Sequence, residues 1–297
     1  GIAAAAAVGL FFVVLEELPK IPHPLSRIIE TPPTEIFAAD GQRVMVMGGR
    51  EAVPLSRVSH HFINAVIATE DHRFWHHHGI DKLRTLKALY VTFFKPGKIQ
   101  GASTITQQLA KNLFFSFERS WLRKFKEMLV AVQIESSYSK EEILEAYVNQ
   151  IAFGVGAYGI EQAARIFFGV PAADLTLSEA ALLAGLPKSP TRYNPYRHFE
   201  RARQRQRIVL IRMSDVGYVS PEDARIAAQQ ELVLEPLRSS ARSGSYFLDL
   251  VIDSLEARYG AQVVYHGGLK VFTTLDPQLQ AWAVASVQDG LATLDEE

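Results

Sequence analysis

Apolar residues recur at helical spacing along most of the chain, and this pattern predicts a mainly helical protein. The clearest run covers residues 59–69 and ends at two adjacent carboxylates, Glu70 and Asp71. Carboxylates at the end of a buried helix cost free energy unless they are paired or used in chemistry. Further helices are predicted over residues 118–127, 140–149, 160–164, 178–185, 201–212 and 246–258.

Strand signals concentrate near the two ends of the chain. Residues 35–48 surround the dipeptide Asp40-Gly41, which is typical of a tight turn between two strands. Residues 267–277 are typical of a strand that runs into a turn. We predict four regions: an N-terminal anchor (1–18), a linker with a hairpin (19–58), a main domain (59–237) and a C-terminal linker region that enters a further domain (238–297).

The first 15 residues are all apolar or glycine and carry no charge. This run is slightly shorter than the ~20 apolar residues that span a bilayer. It is followed by Glu16 and Glu17 rather than by a small-residue cleavage site. We therefore expect the truncated end of an uncleaved, single-pass transmembrane anchor, with the core of a signal peptide as the alternative.

The segment 118–127 predicts an amphipathic helix with a charged stripe. Arg119, Arg123 and Glu127 recur every four residues and share one face. Two guanidinium groups in a row suit phosphate oxygens, whereas the simpler alternative is a solvated face with an ordinary salt bridge. The opposite face carries four apolar residues that we predict to be buried: Leu122, Phe125, Met128 and Leu129.

Three segments carry polar residues in defined patterns. Residues 70–79 have the pattern E-D-x-x-F-x-x-H-x-G, residues 101–112 have G-x-S-T-I-x-x-Q-L-x-K-N, and residues 123–127 have R-K-x-x-E. Together with the segments 140–164 and 175–195, these ordered motifs resemble glycosyltransferase family 51. That family is the peptidoglycan glycosyltransferase module of bacterial class A penicillin-binding proteins.

The resemblance implies a mainly α, lysozyme-like bilobal fold with a small membrane-associated jaw, followed by a short α/β segment. It implies an inverting transferase that polymerises lipid II into β-1,4-linked glycan strands and releases undecaprenyl diphosphate. The enzyme would sit at the bacterial inner membrane with its catalytic domain outside the cytoplasm. The sequence ends before any S-D-N or K-T-G motif, so we expect it to stop short of a transpeptidase active site.

By resemblance, Glu70 deprotonates the acceptor hydroxyl. Glu127 assists catalysis, either by orienting cations or by binding a divalent cation, Mg²⁺ or Mn²⁺. The residues expected to bind the donor diphosphate are Lys111, Arg119, Arg123 and Lys124. The remaining predicted substrate-binding residues are Asp71, Phe74, His77, Ser103, Thr104, Gln107, Gln108 and Asn112. Helix capping is the alternative role for Ser103 and Thr104. For His77 we favour a hydrogen bond that fixes the loop carrying Glu70.

Residues 86–98 are apolar and aromatic with lysines around them, which is compatible with either core packing or a membrane-interface element. The resemblance favours the membrane interface. The arginines over residues 201–212 are predicted to form a solvated face. We expect the partners to be lipid II, the lipid-linked growing glycan, membrane lipids and other cell-wall synthesis proteins.

Composition excludes some classes of function. A net charge of −1 provides no global basic field for nucleic acid, and the absence of cysteine excludes thiolate metal sites. Two other functions remain open: a lysozyme-like enzyme that cleaves glycan, and an inactive membrane scaffold for envelope proteins. The Arg119 and Arg123 stripe argues against a hydrolase, because a hydrolase has no diphosphate to bind. The intact Glu70 and Glu127 positions argue against the scaffold.

Overall fold

The computed structural model describes residues 18–25, 32–47, 52–94, 103–115, 120–236, 246–260, 263–264 and 267–295. Apart from Leu18, the predicted N-terminal anchor lies outside the described residues, and so does Arg119. Within these ranges, no helix is both long and apolar enough to cross a membrane.

The chain divides into two compact units. The larger unit comprises Gly1–Ile29 and Ala52–Val233, and the smaller comprises Glu30–Glu51 and Leu234–Glu297. In chain order the elements are β1 (Thr34–Phe37), β2 (Arg43–Met47), α1 (His60–Glu70), α2 (Lys82–Phe94), α3 (Ile105–Phe114), α4 (Trp121–Ser137), α5 (Lys140–Gln150), β3 (Ala152–Gly154), β4 (Ala157–Tyr158), α6 (Ile160–Phe168), α7 (Leu177–Gly185), α8 (Phe199–Asp215), α9 (Pro221–Gln229), α10 (Tyr246–Tyr259), β5 (Lys270–Phe272) and α11 (Pro277–Asp295). The prediction of a mainly helical protein is confirmed.

Helix α1 forms the centre of the larger unit and packs against α7 and α8. It begins after Ser59, whose hydroxyl donates to the Leu175 carbonyl at 2.9 Å, and its apolar face is fully buried at Phe62 and Ala65. Asp71 is its C-cap, where the backbone leaves the helical conformation. The sequence-predicted helix and its end are confirmed, and Glu70 is its last residue.

Helix α4 is oriented differently from the sequence prediction. Leu122 and Phe125, which we predicted to be buried, are 50% and 41% exposed, whereas Glu127 is only 1% exposed. The buried face uses Glu127 together with Val130 and Ile134, and it packs against α3. In the first turns of this helix, the charged face therefore points inward and the apolar face points outward.

Helices α5 and α6 flank a glycine-rich turn that contains the short β3–β4 hairpin. Gly159 has a φ of +79°, and a Cβ at this position would lie 2.8 Å from the Asn149 carbonyl oxygen. Only glycine fits such a backbone conformation and such a close approach. Gly159 therefore turns the chain and allows the close approach to the end of α5.

The smaller unit contains a three-stranded sheet in the order β2-β1-β5. Strands β1 and β2 form the predicted antiparallel hairpin, with Ile36 opposite Met45. Strand β5 then pairs in parallel with β1, with Ile36 opposite Val271. Helix α10 covers one face of the sheet through Leu248 and Ile252, which pack in the same core as Ile36.

Candidate active site

Glu70 is half-buried at the C-terminal end of α1. The Gln108 side-chain Nε2 donates a hydrogen bond to the Glu70 Oε2 at 2.9 Å. The Arg84 guanidinium donates to the Glu70 backbone carbonyl. The amide donates to one carboxylate oxygen and so fixes the orientation of the carboxylate, as a general base requires.

Asp71 and His77 form an internal pair below Glu70. His77 Nε2 lies 2.9 Å from the Asp71 Oδ2, which also accepts a hydrogen bond from the Ile105 backbone amide at 3.0 Å. Both side chains are buried, and Asp71 is fully inaccessible. This pair fixes the loop after α1 to the start of α3, and it is placed to position Glu70 rather than to contact a substrate.

Phe74 is also fully buried and faces the protein interior. The Lys140 Nζ lies 4.3 Å from the centre of its ring. The same ammonium group pairs with the Glu135 Oε1 at 2.8 Å, and the Thr106 hydroxyl donates to that carboxylate oxygen. This network joins α3, α4, α5 and the loop that contains Phe74.

Thr104 is the N-cap of α3, because its hydroxyl accepts a hydrogen bond from the Gln107 backbone amide at 3.1 Å. The same hydroxyl donates to the Gly79 carbonyl at 2.7 Å. The capping role predicted as the alternative is confirmed for Thr104. Ser103 differs, since its hydroxyl accepts a hydrogen bond from the Lys124 Nζ at 3.1 Å.

A buried carboxylate and two cations form the second part of the site. Glu127 Oε1 lies 2.8 Å from the Arg123 Nη1, and Glu127 Oε2 lies 3.0 Å from the Lys124 Nζ. A lone buried carboxylate would cost several kcal/mol, and two adjacent cations offset this cost. Arg123 and Lys124 are 18% and 39% exposed in their side chains, so both remain accessible to an anion.

The residues around Glu127 do not fit a divalent cation held by protein alone. Within the described ranges, no three His, Cys, Asp or Glu side chains form a cluster that could hold a metal ion. Both oxygens of Glu127 already face cations. Mg²⁺ and Mn²⁺ need several oxygen ligands, so this carboxylate supplies at most a small part of such a site.

The other predicted site residues are distributed along α3. Lys111 and Asn112 are half-buried, and Gln107 is buried. These residues share a helix with Gln108, which contacts Glu70. The structure therefore brings Glu70, Gln108, Ser103, Lys124 and Glu127 into one connected region through α3 and α4.

A basic cavity lies beside the end of α1, on its Ala68 and Thr69 side. Its volume is about 430 Å³. Four cationic side chains and two carboxylates line it: Arg73, Arg84, Lys87 and Arg212, with Asp81 and Asp215. Arg84 also donates to the Glu70 backbone carbonyl, so one residue of this cavity contacts the end of α1 that carries Glu70.

The prediction that the arginines of α8 form a solvated face is wrong for Arg205. This residue is 3% exposed, and its Nε donates to the Gly185 carbonyl at 3.3 Å. Burial lowers the pKa of Arg205, while the negative charge of Glu70 acts in the opposite direction. Seven residues further on, Arg212 donates to the Thr69 carbonyl at 2.8 Å.

Sequence reasoning missed Arg205 and Arg212 as residues near the site. The available signal was their spacing of seven residues, which places both on the same face of α8 as the apolar residue Val209. An arginine within an apolar stripe must find an internal partner. Tyr147, which contacts Gln108, was also missed because it looked like a core residue.

The transglycosylase family pattern matches residues 41–214, and the chain belongs to this family. Penicillin-binding protein 1A from Aquifex aeolicus (strain VF5) is 42% identical over 295 residues, which are 98% of this chain and 40% of that protein. The corresponding protein from Haemophilus influenzae (strain ATCC 51907 / DSM 11121 / KW20 / Rd) is 39% identical, and the match covers 89% of this chain and 31% of that protein. The protein from Escherichia coli (strain K12) is 37% identical, and the match covers 98% of this chain and 34% of that protein. The chain thus spans well under half the length of these relatives. The family resemblance of the sequence is confirmed.

Proposed function

We propose that this chain is a peptidoglycan glycosyltransferase that polymerises lipid II into β-1,4-linked glycan. One observation carries the proposal: Glu70 is connected to two separate sets of cations. Gln108 and Ser103 at the start of α3 link it to Lys124 on α4, and Arg84, which lines the basic cavity, donates to its backbone carbonyl. A polymerase of lipid-linked sugars handles two diphosphates at once, one on the donor and one on the acceptor. Family membership supports the same reaction class.

In this proposal Glu70 is the general base. It accepts the proton of the acceptor 4-hydroxyl as that oxygen attacks the anomeric carbon of the donor sugar. Attack from the face opposite the diphosphate inverts the configuration from α to β. A half-buried carboxylate oriented by Gln108 suits this task.

Arg123 and Lys124 bind the donor diphosphate, together with Lys111 and with Arg119, which lies outside the described residues. Negative charge builds up on that diphosphate as the glycosidic bond breaks, and fixed cations stabilise it without a general acid. Glu127 orients these cations through its two ion pairs. Undecaprenyl diphosphate is then the product that leaves.

The basic cavity binds the diphosphate of the acceptor. Arg84, Lys87 and Arg212 line the cavity, and Arg84 also touches the backbone of Glu70. Guanidinium groups match phosphate oxygens in both geometry and charge. The reactive hydroxyl of the acceptor sugar would lie between this cavity and the cations of α4, next to the base.

A divalent cation remains part of the proposal in a limited form. Since Glu127 is a single carboxylate already paired with cations, Mg²⁺ or Mn²⁺ would take most of its ligands from the phosphate oxygens of the substrate. When bound, the ion would neutralise charge on the leaving diphosphate.

The proposed setting is the extracytoplasmic side of the bacterial inner membrane. Leu83, Leu86 and Tyr90 on α2 are 61%, 66% and 58% exposed, and Trp121 on α4 is 93% exposed. Apolar side chains next to a site for a lipid-linked substrate suit contact with the bilayer. Contacts with other cell-wall synthesis proteins remain a prediction from the sequence.

The test is polymerisation of labelled lipid II by this chain in detergent, with Glu70→Gln and Glu127→Gln compared against the exposed control Glu200→Gln. We expect at least about 100-fold less polymer with Glu70→Gln, because a positioned base contributes on that order. Glu127→Gln should also lower the rate strongly, and Glu200→Gln should not. Each assay is run with and without Mg²⁺ after chelation.

The products separate this function from its two alternatives. A lysozyme-like enzyme would shorten preformed glycan and make no polymer from lipid II. A scaffold would do neither. If Glu70→Gln polymerises at the wild-type rate while folded, the assignment of Glu70 as the base is wrong.

A further inference from the structure

Tyr147 connects the protein core to the proposed base through a single amide. It lies on α5 and is fully buried. Its hydroxyl donates to the Gln108 Oε1 at 3.1 Å, and the other end of that amide donates through Nε2 to the Glu70 Oε2 at 2.9 Å. These three side chains form a hydrogen-bonded chain that links α5, α3 and α1.

The chain of hydrogen bonds has a fixed direction. A carboxylate can only accept, so it requires the NH₂ end of the Gln108 amide. The carbonyl end then needs a donor on its other side. Burial, together with the negative charges of Glu70 and Asp71, raises the pKa of Tyr147 well above its usual value. The Tyr147 hydroxyl therefore keeps its proton and remains a donor.

We propose that Tyr147 is a positioning residue for glycan polymerisation: its hydroxyl fixes the orientation of the Gln108 amide, which in turn holds the Glu70 carboxylate in place. This proposal rests on the assignment of Glu70 as the general base. Gln108 then acts on the enzyme's own carboxylate, in addition to any contact with substrate.

The neighbouring charges serve other purposes around Glu70. Arg84 donates to its backbone carbonyl, and Arg212 donates to the carbonyl of the preceding residue. The charge of Arg205 interacts electrostatically with Glu70, and Asp71 forms its hydrogen bond with His77. Backbone contacts fix where α1 ends, whereas the Gln108 amide contacts a carboxylate oxygen directly.

Removing the Tyr147 hydroxyl leaves the amide without its anchor. With the carbonyl end unpaired, only the hydrogen bond to Glu70 restrains the amide, so the Gln108 side chain spends more time in orientations that no longer hold the carboxylate. Tyr147→Phe should lower kcat about three- to tenfold, the equivalent of one lost hydrogen bond. KM for lipid II should stay within about twofold, because Tyr147 is buried and does not reach the substrate.

Tyr196→Phe is the matched control. The Tyr196 hydroxyl donates to the Ile166 backbone carbonyl at 2.9 Å, so this variant also loses one hydroxyl hydrogen bond, though not one to Gln108. We expect its kcat to be unchanged. An equal loss of kcat in both variants would show that Tyr147 acts only through general stability and would overturn the proposal.

A double-mutant comparison tests the route through Gln108. In a Gln108→Ala background, Tyr147→Phe should cause no further loss of kcat, because the amide it orients is absent. If Tyr147→Phe costs the same factor in both backgrounds, the hydroxyl acts independently of Gln108 and the proposal is wrong.

A spectroscopic measurement separates this proposal from the function on which it rests. In protein labelled with ¹⁵N-glutamine, the side-chain NH₂ signal of Gln108 is identified by its loss in Gln108→Ala. We expect slow hydrogen exchange of this group in the wild type and at least about tenfold faster exchange in Tyr147→Phe. Unchanged exchange would overturn the positioning role. Wild-type activity in Glu70→Gln would instead remove the proposed function, whatever the amide shows.

Discussion

Gly79 couples the loop that follows Glu70 to helix α4. Its φ is +80°, and a Cβ at this position would lie 2.9 Å from both the backbone carbon and the carbonyl oxygen of Ala131. Its own carbonyl accepts the hydrogen bond of Thr104, the cap of α3. One residue without a side chain thus joins the loop that follows the proposed base to the two helices that carry the cations and Gln108.

Gly79→Ala should destabilise the protein by about 3 kcal/mol or more. A left-handed backbone costs about 1 kcal/mol for alanine, and the clash with backbone atoms of α4 adds strain that side-chain rotation cannot relieve. The measurement is the free energy of unfolding in denaturant.

Gly217→Ala separates the two contributions to this cost. Gly217 has nearly the same φ, +79°, but nothing lies within 4 Å of a Cβ at that position. The free energy of unfolding of this variant should fall only by the ~1 kcal/mol that backbone strain costs. Equal destabilisation of the two variants would contradict the close approach to Ala131.

Individual residues of the site could be predicted from the sequence only in part. The motifs identified Glu70 and Glu127, since both are charged residues in a defined pattern. The partner relations were not predictable, because Gln108 and Tyr147 are 39 residues apart and no periodicity or motif spacing brings them together. Asp71 and Phe74 belong to the same motif, yet the structure buries both. A motif therefore shows which residues act together, without showing which of them reach the substrate.

Helix α4 shows what periodicity predicts and what it leaves open. The helix and its two faces were predicted, but the inward and outward faces of its first turns were exchanged. Periodicity separates polar from apolar positions, and the usual assumption places the apolar side inward. Here Glu127, Arg123 and Lys124 pair with one another around the site, so the charged side is internal and Phe125 is external. Because these charged side chains pair with oppositely charged neighbours, the charged face of α4 is the buried one, against the usual assumption.

Helix α5 carries Tyr147 and begins with a capping box. The Ser139 hydroxyl accepts a hydrogen bond from the Glu142 amide, and the Glu142 carboxylate accepts one from the Ser139 amide at 2.8 Å. The hydrogen bond from the Ser139 backbone is the main cause of a lowered pKa of Glu142. The position of Tyr147 therefore depends on a helix start whose strength varies with pH.

Because the folded-state pKa of Glu142 is lowered, its contribution to stability is present above the unfolded-state pKa and is lost as pH falls through the lower folded-state value. Glu142→Gln should therefore lower the Tm relative to the wild type at pH 7, and this difference should shrink as the pH is lowered below about 4. Thermal unfolding at a series of pH values measures it. Glu141→Gln is the control, since Glu141 lies in the same first turn outside the box. A Tm difference for Glu142→Gln that is constant with pH would refute the role of the ionised carboxylate.

The larger unit as a whole combines an internal polar site with apolar side chains exposed on its surface. Trp121 is 93% exposed at the start of α4, and Leu122 beside it is 50% exposed. The next two residues of the helix, Arg123 and Lys124, are the proposed ligands of the diphosphate. A lipid-linked substrate has the same arrangement, with a diphosphate at the membrane surface and an apolar chain below it. The unit is therefore expected to dock on a bilayer with the start of α4 at the interface.

Tryptophan fluorescence tests this orientation, because the chain has only three tryptophans. In vesicles that contain phosphatidylglycerol and brominated acyl chains, Trp121 should be quenched by the bromine atoms. Trp121→Phe should therefore remove most of the quenchable emission. Trp282→Phe is the matched control, since Trp282 is 60% exposed on α11 in the smaller unit and should contribute little to quenching. If Trp282→Phe removes the quenchable emission and Trp121→Phe leaves it intact, another surface faces the lipid and the proposed docking of α4 is wrong.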